Sequence, residues 1–69
     1  MKTKLMLKHS EMIRKGNFGI ARNILRLMRR GEIRLGLCDD DYFTETTLIK
    51  LGLEPHYSRN GNWARFYLD

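Results

Sequence analysis

The chain holds a single cysteine, Cys38, so no internal disulfide can staple the fold, and a lone thiol fits a reducing cytoplasm. Its single proline, Pro55, belongs at the start or edge of a strand, where no ladder donor is missed. No apolar run approaches the ~20 residues of a membrane span, and Lys2 and Lys4 lead only into the brief Leu5–Leu7 run, too short for a secretory signal. The expected location is therefore cytoplasmic, with no membrane partner. The chemical motifs are equally sparse. The glycines form no strand–GxxxxGK[ST]–helix phosphate loop. His9, His56, Cys38 and the aspartates show no nucleophile–base or acid–base spacing, and Cys38, Asp39–Asp41 and His56 match no zinc or calcium pattern. The sequence thus predicts a protein that is not an enzyme, with no catalytic residues, no cofactor and no metal.

Acidic residues are scarce in the first half. Residues 1–36 carry ten Lys and Arg against two Glu, a surplus of +8, whereas residues 37–69 carry three against six, a deficit of −3. Such asymmetry points towards nucleic acid, an anionic surface or an acidic protein partner. The hydrophobic fraction of 42% suits a folded globule rather than a disordered tail. With 69 residues there is one domain, 1–69, near the lower size at which a core holds without staples, so each large apolar side chain has a structural job.

The most informative stretch is Asn17–Arg30, NFGIARNILRLMRR. At about 100° per residue, Phe18, Ala21, Ile24, Leu25 and Met28 fall along one side of a helix, widened by Ile20 and Leu27. Arg22, Arg26, Arg29 and Arg30 recur at i, i+4, i+7 and i+8 and form a stripe on the other side. Asn17 is an N-cap candidate, and Gly31 stands where a left-handed glycine would end the helix. The apolar face is needed for the core, which argues against this helix lying on a membrane. Upstream, Leu5, His9, Met12 and Ile13 share a helical face, and Glu11 and Lys15 form an i, i+4 pair. The helix covers at least Ser10–Lys15; alternatively Leu5-Met6-Leu7 begins as a strand and Ser10 caps the helix. Gly16-Asn17 joins the two helices so tightly that they fold back as an antiparallel hairpin, residues 1–31.

The second half, residues 32–69, reads as strand, helix and β-hairpin. Ile33–Leu37 alternates like a half-buried strand, and Cys38 reads as a small buried residue. Asp39-Asp40-Asp41 form a capping turn for a helix that begins near Asp41 or at Thr44 and ends at Gly52. Asn60-Gly61 between two strand-like runs predicts a two-residue type I′ turn with positive φ at both residues. That turn pairs Ser58 with Trp63, Tyr57 with Ala64 and His56 with Arg65. Leu53, Pro55, Tyr57, Ala64, Phe66 and Leu68 then take the core side, and His56, Ser58, Trp63, Arg65 and Tyr67 the other. Periodicity does not decide whether a helix covers that second side. Left open, Trp63, Arg65 and Tyr67 make an aromatic–basic patch suited to stacking bases, binding phosphate or anchoring a protein interface. Arg59 and Asn62 flank the hairpin tip, where a wing would touch a sugar-phosphate backbone.

Two local resemblances support this outline. KGNFGIA resembles the inter-helix turn of tetratricopeptide repeats, in which a small residue such as Ala21 lets two helices approach closely; no 34-residue period accompanies it. TLIKLGLEPHYSRNGNWARFY resembles the helix-then-wing run of excisionase and MerR-type proteins, and the element order resembles winged helix-turn-helix proteins. The order departs from theirs in lacking two consecutive helices before the wing. The expectation is an α+β domain, order α-α-β-α-β-β, with a helical hairpin packed on a small antiparallel sheet. Its expected role is a non-enzymatic binder of DNA or RNA, an accessory regulator, using Arg22, Arg26, Arg29, Arg30, Arg59, Asn62, Trp63, Arg65 and Tyr67. The competing expectation is a compact inhibitor or adaptor of the phage or mobile-element kind, placing the same surfaces on an acidic protein. An exposed sheet edge would also allow a homodimer.

Overall fold

A computed structural model describes residues 1–37 and 41–68. Helix α1 (Lys2–Lys15) runs straight into a left-handed Gly16, and helix α2 (Phe18–Arg30) ends at a left-handed Gly31. Strand β1 (Glu32–Gly36), helix α3 (Asp41–Lys50) and strands β2 (His56–Tyr57) and β3 (Trp63–Tyr67) complete the described elements. The fold is α+β, with a helical hairpin leading a three-stranded antiparallel sheet of order β1-β3-β2.

Helix α1 extends upstream of Ser10 because no breaker interrupts Lys2–Lys15 and Glu11 ties Lys8 and Lys15 to its face at 3.1 and 3.3 Å. The alternative of a strand at Leu5–Leu7 is thereby excluded, and only Leu5 and Met12 of α1 are buried; Ile13, expected on the same face, is exposed. At Gly16 the chain reverses by two hydrogen bonds: Gly16 N–H donates to the Ile13 carbonyl, and Asn17 N–H to the Met12 carbonyl at 2.8 Å. This pairing satisfies carbonyls that the end of α1 would otherwise orphan, and the glycine supplies the positive φ of 80° it requires. Asn17 occupies the N-cap position of α2 without capping it. Its side-chain amide turns back towards Met12 Sδ, 3.6 Å away, and no α2 N–H reaches its oxygen.

The apolar stripe of α2 is centred on Ala21, Ile24 and Leu27, all buried. Phe18 is 61% exposed, a correction to its expected place in the core: it lines an open groove with Ile20, Phe43 and Thr44. Asn23 secures α2 to α3 by donating to Asp41 Oδ1 at 3.2 Å and Thr44 Oγ1 at 3.0 Å. Of the two predicted starts for α3, Asp41 is the one adopted. The buried face of α3 is Thr44, Glu45 and Leu48, only one of which is apolar, so no hydrophobic period announced it. The expectations for Cys38, Asp39 and Asp40 lie outside the described residues.

Burial alternates along β1 and β3, so Ile33, Leu35, Ala64 and Phe66 join Leu5, Ile24, Leu27 and Leu48 in one core. The hairpin register is the expected one, with His56 opposite Arg65 and Tyr57 opposite Ala64. Its turn is not. No residue other than glycine has positive φ among the described residues, so Asn60 does not adopt the type I′ conformation. Instead Gly61 N–H donates to the Ser58 carbonyl at 3.0 Å, and only Gly61 is left-handed, φ 75°. The loop is four residues, 59–62, built around a type I turn. Asn60 Oδ1 accepts from Asn62 N–H and from the Ser58 hydroxyl, whose oxygen in turn accepts Trp63 N–H at 3.2 Å. Side-chain acceptors thus hold the turn, and Asn60 avoids the steric cost of the left-handed region.

Tyr57 is the other correction. It was expected in the core with Phe66, yet Phe66 is fully buried and Tyr57 is 54% exposed. β2 is a two-residue edge strand, so Tyr57 lies at the rim of the core side rather than beneath a helix. The Glu45 side chain as a hydrogen-bond acceptor, with desolvation and its negative charge adding, raises the Tyr57 pKa above the usual tyrosine range.

Candidate functional site

The inward side chains of β1 and β3 serve the core, and the opposite face of the sheet is open to solvent. On it stand Glu32 and Arg34 of β1, His56 of β2, and Trp63, Arg65 and Tyr67 of β3. Trp63 and Tyr67 are each 42% exposed, which settles the point that periodicity left undecided. β3 lies in the middle of the sheet, so both rings and Arg65 project from its centre.

Register determines what surrounds them. Arg65 faces His56 across β2 and Arg34 across β1, so one row across the sheet reads His56, Arg65, Arg34. Like charges directly opposite each other in antiparallel strands are destabilising, because their Cβ atoms lie only about 4.5–5.5 Å apart. Arg34 relieves part of this by leaning along the strand: its guanidinium carbon lies 4.4 Å from the centroid of the Trp63 ring. His56 leans the other way and meets Tyr67 edge-on, with centroids 5.2 Å apart. Arg34 was not among the residues singled out from the sequence. Its local pattern showed only an outward position on a strand, and its place beside Trp63 depends on the pairing of β1 with β3.

The arginine stripe of α2 forms as expected, with Arg22, Arg26, Arg29 and Arg30 all exposed. Among the described residues the ion pairs within 4.0 Å are those of Glu11 with Lys8 and Lys15, so none of the four has a carboxylate partner there. Arg26 and Arg30 meet Arg34 and Arg65 around a cleft of about 420 Å³ at the β1 edge, with Glu32 as its one acidic wall. A second hollow, lined by Arg34, His56, Tyr57, Ser58, Trp63 and Arg65, shares Arg34 and Arg65 with it. The helix stripe and the aromatic patch, read separately from the sequence, are therefore one surface, joined through Arg34 and Arg65.

Arg59 and Asn62 are exposed at the hairpin tip, as expected. The Asn62 carbonyl accepts Leu37 N–H at 2.9 Å, which ties the tip to the end of β1. Neither residue lines the cleft or the hollow. The chain also departs from the winged arrangement it resembles: among the described residues one helix, α3, stands between β1 and the hairpin. At the other end of the molecule Phe18 and Phe43 flank a separate groove with Ile20, Asn23 and Thr44.

No family model, no curated protein and no solved structure matches this chain. No described helix is long and apolar enough to cross a membrane.

Proposed function

We propose that this protein is a small non-enzymatic nucleic-acid-binding protein, an accessory regulator acting in the cytoplasm. The observation that carries the reading is the basic row of the open face, where Arg34 stands directly opposite Arg65 with His56 on its other side. Folding alone does not favour that arrangement, whereas a polyanion laid across it would relieve the repulsion. The α2 stripe extends the same field. Arg22 to Arg30 cover about 12 Å of helix, a length over which a duplex presents three to four phosphates per strand along its axis at about 3.4 Å each. Guanidinium groups suit this role because their planar forks bind phosphate oxygens in pairs and remain charged at any physiological pH.

Salt dependence tests the proposal. Each phosphate contact releases condensed counterions, so log K should fall with log[salt] at about −0.7 per contact on single strands and −0.9 on duplex. Arg26→Ala with Arg29→Ala should make the slope shallower by about 1.4–1.8 and weaken binding alike on all sequences. Lack of binding to any nucleic acid at about 50 mM salt and tens of micromolar protein would overturn the reading.

A second reading rests on a different observation. Phe18 and Phe43 are 61% and 60% exposed beside a groove that shares no residue with the arginine cleft. Exposed aromatic pairs of this kind suit a protein partner. In that case the chain is a compact inhibitor or adaptor whose arginines meet acidic side chains. It would form a stoichiometric protein complex broken by the same arginine substitutions.

A further inference from the structure

We infer that the open face selects single-stranded over duplex nucleic acid. The inference rests on the nucleic-acid reading above and names its substrate class. Trp63 and Tyr67 project from the same face of β3 four residues apart, a separation of about 13 Å at strand rise. Arg65 stands midway between them, with Arg34 and His56 beside it. Rings set this way offer flat platforms to two bases while the backbone between them passes over guanidinium groups. Base stacking on such rings needs bases whose faces are free, and a duplex hides them within its own stack. A duplex could offer this surface only its backbone or groove edges, and a three-stranded sheet face does not fit a groove that admits one helix or a two-stranded ribbon.

The course of the positive charge leads to the same substrate. From Arg26 and Arg30 on α2 it turns round the β1 edge through the cleft and emerges beside Trp63. The Cα trace of the described residues spans 34 × 25 × 19 Å. Duplex DNA, with a persistence length of about 500 Å, resists bending on that scale, whereas a single strand can follow the turn. Arg34 serves both parts, holding the Trp63 ring from one side and reaching the cleft from the other.

The test is fluorescence anisotropy with labelled oligonucleotides of one sequence as single-stranded DNA, single-stranded RNA and duplex DNA, at matched salt. Trp63 is the only tryptophan, so its emission reports stacking directly. Single strands of one or both sugars should bind at least about tenfold more tightly than duplex and quench Trp63. Trp63→Ala should lose about tenfold or more on single strands with little change in salt slope, and Trp63→Phe should restore part of that loss. Trp63 lies outside the core, and the circular dichroism of each variant checks that it is folded. Duplex binding equal to or tighter than single-strand binding, or single-strand affinity indifferent to Trp63→Ala, would overturn this inference while leaving nucleic-acid binding in place. Binding to none of the three would overturn both.

Discussion

Replacing Phe66 by alanine is expected to destabilise the domain by about 3–5 kcal/mol, in the upper part of that range. Phe66 is fully buried on the middle strand, directly opposite Ile33, in one core cluster with Leu5, Ile24, Leu27, Leu35 and Leu48. Neighbours held in that way cannot collapse into the space left by the ring, so the cavity persists and its lining loses its contacts. A domain of 69 residues has a total stability of roughly 3–10 kcal/mol at about 0.05–0.15 per residue. The variant should therefore sit near its midpoint in water or be unfolded, and Phe66→Leu, costing about 1 kcal/mol, keeps the series measurable. Tyr57 occupies the same side of the sheet in the sequence pattern, but it is half exposed on a two-residue edge strand. Tyr57→Ala should cost only about 1 kcal/mol. Urea unfolding followed by far-ultraviolet circular dichroism compares the three through their midpoints, provided the slope stays constant. A Tyr57→Ala loss as large as that of Phe66→Ala, or a Phe66→Ala loss below about 1 kcal/mol, would refute the placement of the core.

Ala21 is buried on the α2 face that packs against α1, so Ala21→Leu should overpack the hairpin and destabilise by about 1–3 kcal/mol in the same assay. A Cβ added at Gly61 would meet open space, but the backbone there is left-handed, so Gly61→Ala should lose about 1–2 kcal/mol through conformation alone; an unchanged midpoint would contradict the four-residue turn. Tyr57 should titrate above the ordinary tyrosine range in a phenolate absorbance titration, and Glu45→Gln should lower that titration. Because the native pKa is raised, the folded state holds this proton more tightly than the unfolded chain. The associated stability is therefore complete below the ordinary tyrosine pKa of about 10 and is lost as pH rises through the native value. A Tyr57 titration that Glu45→Gln leaves unchanged would contradict the influence of Glu45.

Local signals in the sequence were enough to determine the helical hairpin, the arginine stripe and the hairpin register. Gly16 and Gly31 end helices because their conformation is decided within one turn of chain, and the arginines share a side because helical geometry alone puts them there. The alternation of Trp63–Tyr67 likewise sorted the strand into an inner and an outer set. Tertiary structure decided everything that depended on what lies across a space. Tyr57 carries the period of a core residue, yet an edge strand leaves it uncovered. Phe18 carries the period of the α2 stripe, yet it lines an open groove with Phe43 instead of the core. Asn60 bears the signature of a two-residue turn, yet Ser58 and Asn60 side chains supplied an alternative that leaves positive φ to Gly61 alone. Above all, no local signal links β1 to β3, because α3 and β2 intervene between them. Only that pairing brings Arg34 onto Trp63 and opposite Arg65, joining the helix stripe to the aromatic face in one continuous surface.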